Sequence, residues 1–122
     1  VFETDKAPIL GGPYSQAVIH KGMIYLSAQG PVNPETNKVS LGTIEEETRL
    51  SMENTRTILE EAGSSLDKVL HVTVYLLRMK DYSRFNDAYR EYFQKAPPAR
   101  TCIEAGKLPF GFSVQFSVIA YV

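Results

Sequence analysis

One cysteine, two histidines and no tryptophan stand among 122 residues, and each shortage removes a class of explanation. Cys102 alone forms no intrachain disulfide, which fits a reducing, cytoplasmic setting. His20 and His71 lie at ligand spacing neither to each other nor to Cys102, so no metal site is expected. Basic excess is missing too: 13 Lys and Arg against 14 Asp and Glu leave a net charge of −1. Without that excess counterion release cannot drive general nucleic-acid binding, so nucleic acid is not an expected partner. No apolar run approaches the length of about 20 residues that a membrane span needs. No basic segment followed by an apolar core is visible at the start, so neither a membrane nor a secretory route is expected. Gly11-Gly12 lacks the strand, lysine and helix of a phosphate loop, and no serine sits in a nucleophile elbow.

What is present reads as one domain spanning 1–122, without repeats or linkers. Apolar residues make up 43% and charged residues 22%, ordinary for a globular chain. Gly11-Gly12-Pro13 predicts a turn and Tyr14 to His20 an extended segment. Lys21-Gly22 reads as a two-residue hairpin turn into a strand from Met23 to Ala28. Pro31 to Lys38 is expected to be a turn-rich loop.

Thr43, with Glu46 three residues on, predicts a capping box, and glutamates at 45, 46 and 47 suit the positive end of a helix. Ile44, Thr48, Ser51, Met52, Thr55, Ile58, Leu59 and Ala62 recur at helical spacing, and Gly63 ends the run. Val69 to Leu77 predicts a strand with Val72, Val74 and Leu76 on one face. His71 is expected to face inward as a hydrogen-bonded core or interface residue. Asp81 to Gln94 predicts a second helix, and Arg100 to Ala105 and Val114 to Tyr121 predict strands.

The order β-β-α-β-α-β-β implies an α+β fold, a mixed sheet with two helices on one face. Tyr75, Leu77, Ile119 and Tyr121 would stand on the uncovered face, which points to a closed homo-oligomer with sites between subunits.

Pro97-Pro98-Ala99-Arg100-Thr101-Cys102 is the most informative stretch. Its prolines stiffen the approach and push the preceding residues into extended backbone. Arg100 would then leave a strand start in a defined direction, suited to a bidentate grip on a carboxylate or phosphate. From these six residues alone, an ordinary surface arginine at a strand edge is the simpler reading. Cys102 would share a face with Arg100, whose guanidinium would lower the thiol pKa; a small buried hydrophobe is the commoner role of a lone cysteine. Spacing alone does not bring Arg100 together with Tyr14, Ser27, Asn86 and Gln115.

A resemblance does. Ala7-Pro8 with Gly12-Pro13-Tyr14-Ser15-Gln16-Ala17 resembles the N-terminal signature of the RidA (YjgF-type) reactive-intermediate deaminases. Ser27-Ala28-Gln29 with Pro31-Val32-Asn33-Pro34, then Asn54, Ile58-Leu59-Glu60 and Ala62-Gly63-Ser64-Ser65-Leu66, follow that family's order. So do Val72-Thr73-Val74-Tyr75-Leu76, Phe85-Asn86, Tyr89-x-x-Tyr92-Phe93, Pro98-Ala99-Arg100-Thr101-Cys102 and Leu108-Pro109. The likeness spans essentially the whole chain.

It implies a chorismate-mutase-like α+β fold, a homotrimer with a cleft at each subunit boundary, and no cofactor. It implies hydrolysis of 2-imino or enamine acids, such as 2-iminopropanoate or 2-iminobutanoate, to 2-oxo acids and ammonia. Arg100 would clamp the substrate carboxylate. Backbone amides near Ser27-Ala28 and around Thr101 and Cys102 would add donors, and Tyr14 and Asn86 would shape the pocket. Two departures stand out. Ala28 replaces the family's glycine, which would crowd a ligand or require that position to avoid positive φ. Gln115 and Ser117 stand where imine-hydrolysing members carry two acids, so the residue expected to assist water is a neutral amide. That exchange opens an alternative, a non-catalytic module binding small carboxylates in the same cleft. The ribonuclease or translation-inhibitor role attached to the family is disfavoured by the balanced charge. Phe110 and Phe112 around Gly111 would form an apolar wall able to accept larger side chains, or simply pack at a subunit boundary.

Overall fold

The computed structural model describes residues 1–122. Strands β1 (Ala17–His20) and β2 (Met23–Gln29) form the first hairpin. Its turn is Lys21-Gly22, both at positive φ (50° and 78°), as a tight turn matched to strand twist requires. β1 starts three residues later than Tyr14, and Phe2 pairs with Ala17 to extend that edge. The loop expected from Pro31 to Lys38 contains a miniature hairpin, β3 (Val32–Asn33) with β4 (Lys38–Val39). Asn33 Oδ1 accepts from the backbone of Glu35 and Thr36 and shapes its turn.

Helix α1 (Ile44–Glu61) begins in the predicted capping box. Thr43 Oγ1 accepts from the Glu46 N–H at 3.1 Å, and Glu46 Oε1 accepts from the Thr43 N–H at 2.8 Å. Such a cap contributes about 1 kcal/mol. The apolar stripe lies against the sheet as its spacing predicts, and Gly63 at φ 87° ends the helix. Glu47 does more than suit the helix start. Its side chain is buried, and its carboxylate accepts from the backbone of Gly42 and Ser113, tying the start of α1 to the segment entering the last strand.

Strand β5 (Val69–Leu76) leads to α2 (Tyr82–Tyr89), then β6 (Ala99–Glu104) and β7 (Val114–Tyr121). α2 is shorter than the predicted 81–94. Beyond Tyr89 the backbone bonds change to i→i−3 (Glu91 to Ala88, Tyr92 to Tyr89, Phe93 to Arg90). This tighter winding brings Tyr92 and Phe93 onto the core, with Phe93 5.0 Å from the Tyr89 ring.

The sheet order is β1-β2-β7-β5-β6, antiparallel throughout except for the β5–β6 pair, which α2 connects as a crossover. Ile24, Leu26, Val72, Val74, Leu76, Val114, Phe116, Val118 and Ala120 meet the helices in one core. On the other face, register lines up Val18, Tyr25, Ile119, His71 and Ala99 across all five strands. Beside that row run Ser117–Thr73–Thr101 and Gln115–Tyr75–Ile103. The architecture is the mixed sheet with two helices that was expected. One orientation is corrected: His71 alternates with buried Val72 and so faces away from the helices, its Nε2 3.4 Å from Thr101 Oγ1.

Candidate functional site

Strand alternation divides the predicted site residues into two groups. Arg100 is in register with Val72 and Cys102 with Val74, so both project to the helix side, at the edge strand β6. Thr101 lies between them and projects to the opposite face, where it meets His71. Gln115 is in register with Tyr75 and also lies on the helix-free face, two strands from β6. The sheet itself therefore separates Arg100 from Gln115 within one chain.

Around Arg100 the surroundings are aromatic. The guanidinium carbon lies 4.8 Å from the ring centroid of Tyr89 and 5.5 Å from those of Tyr82 and Phe85. These rings recur at positions i, i+3 and i+7 of α2, one stripe of a helix facing β6. The spacing is visible in the sequence, although Tyr82 was not singled out there. Arg49, Arg56, Arg84 and Arg90 each have a carboxylate within salt-bridge reach. Arg78, which is exposed, and Arg100 have none; the half-buried Arg100 has the Tyr82 hydroxyl as its side-chain partner.

Two buried oxygens beside it also lack hydrogen-bond partners, Asn86 Oδ1 and the Tyr89 hydroxyl. Burial pushes the Tyr89 phenol up to about 12 despite the opposing pull of Arg100. Asn86, Tyr89 and Arg100 share an open cleft of about 540 Å³. A half-buried cation with no counter-ion is an anion-binding arrangement. The thiol of Cys102 takes the commoner of its two expected roles: it packs half-buried against the core as a small hydrophobe, and burial raises its pKa, outweighing the guanidinium.

The second group surrounds a smaller recess of about 260 Å³, where Tyr14, Ala28 and Gln115 meet Gln29, Phe110 and Phe112. Ala28 lies where β2 bulges: Leu26 pairs with Val118 but Gln29 with Phe116, one residue more on β2 than on β7. Ala28 is not among the residues at positive φ, so its methyl carries no backbone strain. Ser27 is committed to structure, its hydroxyl donating to the Ser15 carbonyl at 2.7 Å. Gly12 has a steric role, since a Cβ there would come within 2.5 Å of the Tyr14 ring. No group of three His, Cys, Asp or Glu side chains is placed to hold a metal. No helix is long and apolar enough to cross a membrane.

The family model for endoribonuclease L-PSP, the YjgF/RidA family, matches residues 4–122. The chain belongs to that family. It is 43% identical to a RutC family protein of Pyrococcus abyssi, a match covering 99% of this chain and 95% of the relative. It is 38% identical to the 2-iminobutanoate/2-iminopropanoate deaminase of Bos taurus, covering 98% of this chain and 88% of that protein. Among solved structures it is similar to E. coli TdcF with bound serine, at TM-score 0.93 and 31% identity, covering 100% of this chain and 98% of the other. The expected family and α+β fold are thereby established, and the family includes imine deaminases.

Proposed function

We propose that this YjgF/RidA chain hydrolyses 2-imino and enamine acids, such as 2-iminopropanoate or 2-iminobutanoate, in clefts between the subunits of a homotrimer. The observation that carries this reading is Arg100: half-buried, directed by an edge strand, stacked in an aromatic nest and without a carboxylate partner. A substrate carboxylate would supply the missing anion, with Asn86 and the amide of Cys102 beside it.

A 2-imino acid carries its reacting carbon next to that carboxylate, so the rest of the machinery must lie within a few ångströms of Arg100. Gln115, Tyr14 and Ala28 of the same chain are on the far side of the sheet. A second copy presenting its own recess would complete the site. The uncovered sheet face, with Tyr25, Ile119 and Tyr75 across it, supplies an apolar surface for that assembly.

In the reaction, water adds to the imine carbon as the C=N electrons move to nitrogen. The C–N bond then breaks, ammonia leaves with the transferred protons, and a 2-oxo acid remains. Gln115 would position the water through its amide, since it cannot act as a base near neutral pH. Its neutrality also favours the second reading, a module that holds a small carboxylate without turning it over.

One experiment separates the two. The imine is generated in situ from alanine or 2-aminobutyrate by an amino-acid oxidase, and wild type is compared with Arg100→Ala. Acceleration by wild type that the variant loses supports the deaminase. Binding of 2-oxobutanoate without acceleration, again lost in Arg100→Ala, supports the carboxylate-binding module.

A further inference from the structure

Four exposed large apolar side chains cluster at one place. Ile9 is 46% exposed, Leu10 36%, Tyr14 57% and Phe110 62%, and all four rim the same recess. Its lining includes no cation, and Glu3 is its only carboxylate. Two of its three glutamine amides are already committed. Gln16 donates to the carbonyls of Thr4 and Pro8, and Gln29 donates to that of Ser27. Gln115 supplies the remaining amide.

The recess is built rather than incidental. Phe112 is 3% exposed and forms the floor, where a Cβ on Gly30 would come 2.4 Å from its ring. Phe110 stacks against it at 5.7 Å between centroids and a 50° tilt, held by a left-handed backbone (φ 55°) that is unfavourable for a bulky residue. The opposite rim is fastened as well: Asn37, itself at φ 61°, accepts from the Ile9 N–H at 2.7 Å and donates back to the Ile9 carbonyl.

We infer that this recess is the side-chain subsite of the site proposed above, selecting imino acids with branched aliphatic or aromatic side chains, with Phe110 the specificity-determining residue. The inference rests on the deaminase reading. A methyl or ethyl side chain would leave the four rim residues wet, whereas an isobutyl or benzyl group removes them and itself from water. A carboxylate or ammonium side chain would find no counter-ion there. Gln115 suits this setting, because a neutral amide is less costly than a carboxylate to desolvate beside an apolar group.

The test uses imines generated in situ from alanine, leucine, phenylalanine and glutamate. Wild type is compared with Phe110→Asn, which tolerates the left-handed backbone but lacks the ring, and with Leu10→Ser on the opposite rim. The expected kcat/KM for the leucine- and phenylalanine-derived imines exceeds that for the alanine-derived one by about tenfold or more. Both variants bring that ratio to within about threefold of unity, and the glutamate-derived imine is the poorest substrate. A wild-type ratio near or below one, or a ratio that neither variant changes, with the alanine-derived imine still accelerated, overturns the inference and leaves the deaminase standing. Acceleration of no imine removes both.

Discussion

The Arg100 Nη2 donates to the Tyr82 hydroxyl oxygen across 3.0 Å, from the edge strand β6 to the first turn of α2. The phenol accepts this bond with its oxygen, so its own proton stays available to a carboxylate resting on the guanidinium. Tyr82→Phe keeps the ring under the cation and removes that donor. The expected outcome is a rise of about three- to tenfold in the Kd of 2-oxobutanoate, with little change in Tm, measured by titration calorimetry and thermal unfolding. An unchanged Kd would confine Tyr82 to a packing role.

Gln115→Glu supplies a group that can take a proton from water. If base assistance is what the site lacks, imine hydrolysis rises about tenfold or more, and the rate climbs with pH as the new carboxylate ionises. Steady-state rates from pH 5 to 8 give the answer. A flat or falling rate would show that the neutral amide suits this site better than an acid.

Assembly and chemistry should fail together. At micromolar concentration, sedimentation velocity is expected to show three times the chain mass. Ile119→Asp places a charge in the middle of the uncovered face, between Tyr25 and His71, and should yield monomers that neither bind nor hydrolyse. A wild-type monomer that is fully active would contradict the shared cleft.

The raised phenol of Tyr89 makes a prediction about stability. Its ordinary value is 10.0 and burial takes it to about 12, so between these values the folded state holds a proton that the unfolded state has released. This contribution is complete below pH 10 and is lost as pH rises through about 12. Tyr92, also pushed up to about 12 chiefly by burial, titrates in the same window. Tyr89→Phe should therefore flatten part of the alkaline loss in Tm between pH 10 and 12. At pH 7 it should leave Tm equal or higher, because the hydroxyl it removes is buried without a partner.

Local chemistry was legible in the sequence because local physics sets it. Thr43 and Glu46 specify a cap, Lys21-Gly22 specifies a tight turn, and period-3.6 and period-2 patterns specify α1 and β7, which form where those signals place them. The length of α2 was misjudged because its aromatic pattern continues beyond Tyr89 while the backbone tightens to seat Tyr92 and Phe93 on the core. Alternation along β5 groups His71 with Thr73 and Tyr75 opposite Val72 and Val74, but which of those two faces the helices cover was decided only by packing.

The sequence by itself determined the family signatures, the balanced charge, the two helices and the residue types available for chemistry. Only the tertiary structure decided which of them meet. Strand pairing places Arg100 beside Val72 and Gln115 beside Tyr75, so the two stand on opposite faces of the sheet within one chain. Packing of α2 on β6 surrounds Arg100 with Tyr82, Phe85 and Tyr89, and burial outweighs the guanidinium at the Cys102 thiol. The physical reason is that periodicity is written in neighbouring residues, whereas strand register and desolvation depend on residues far apart in the chain.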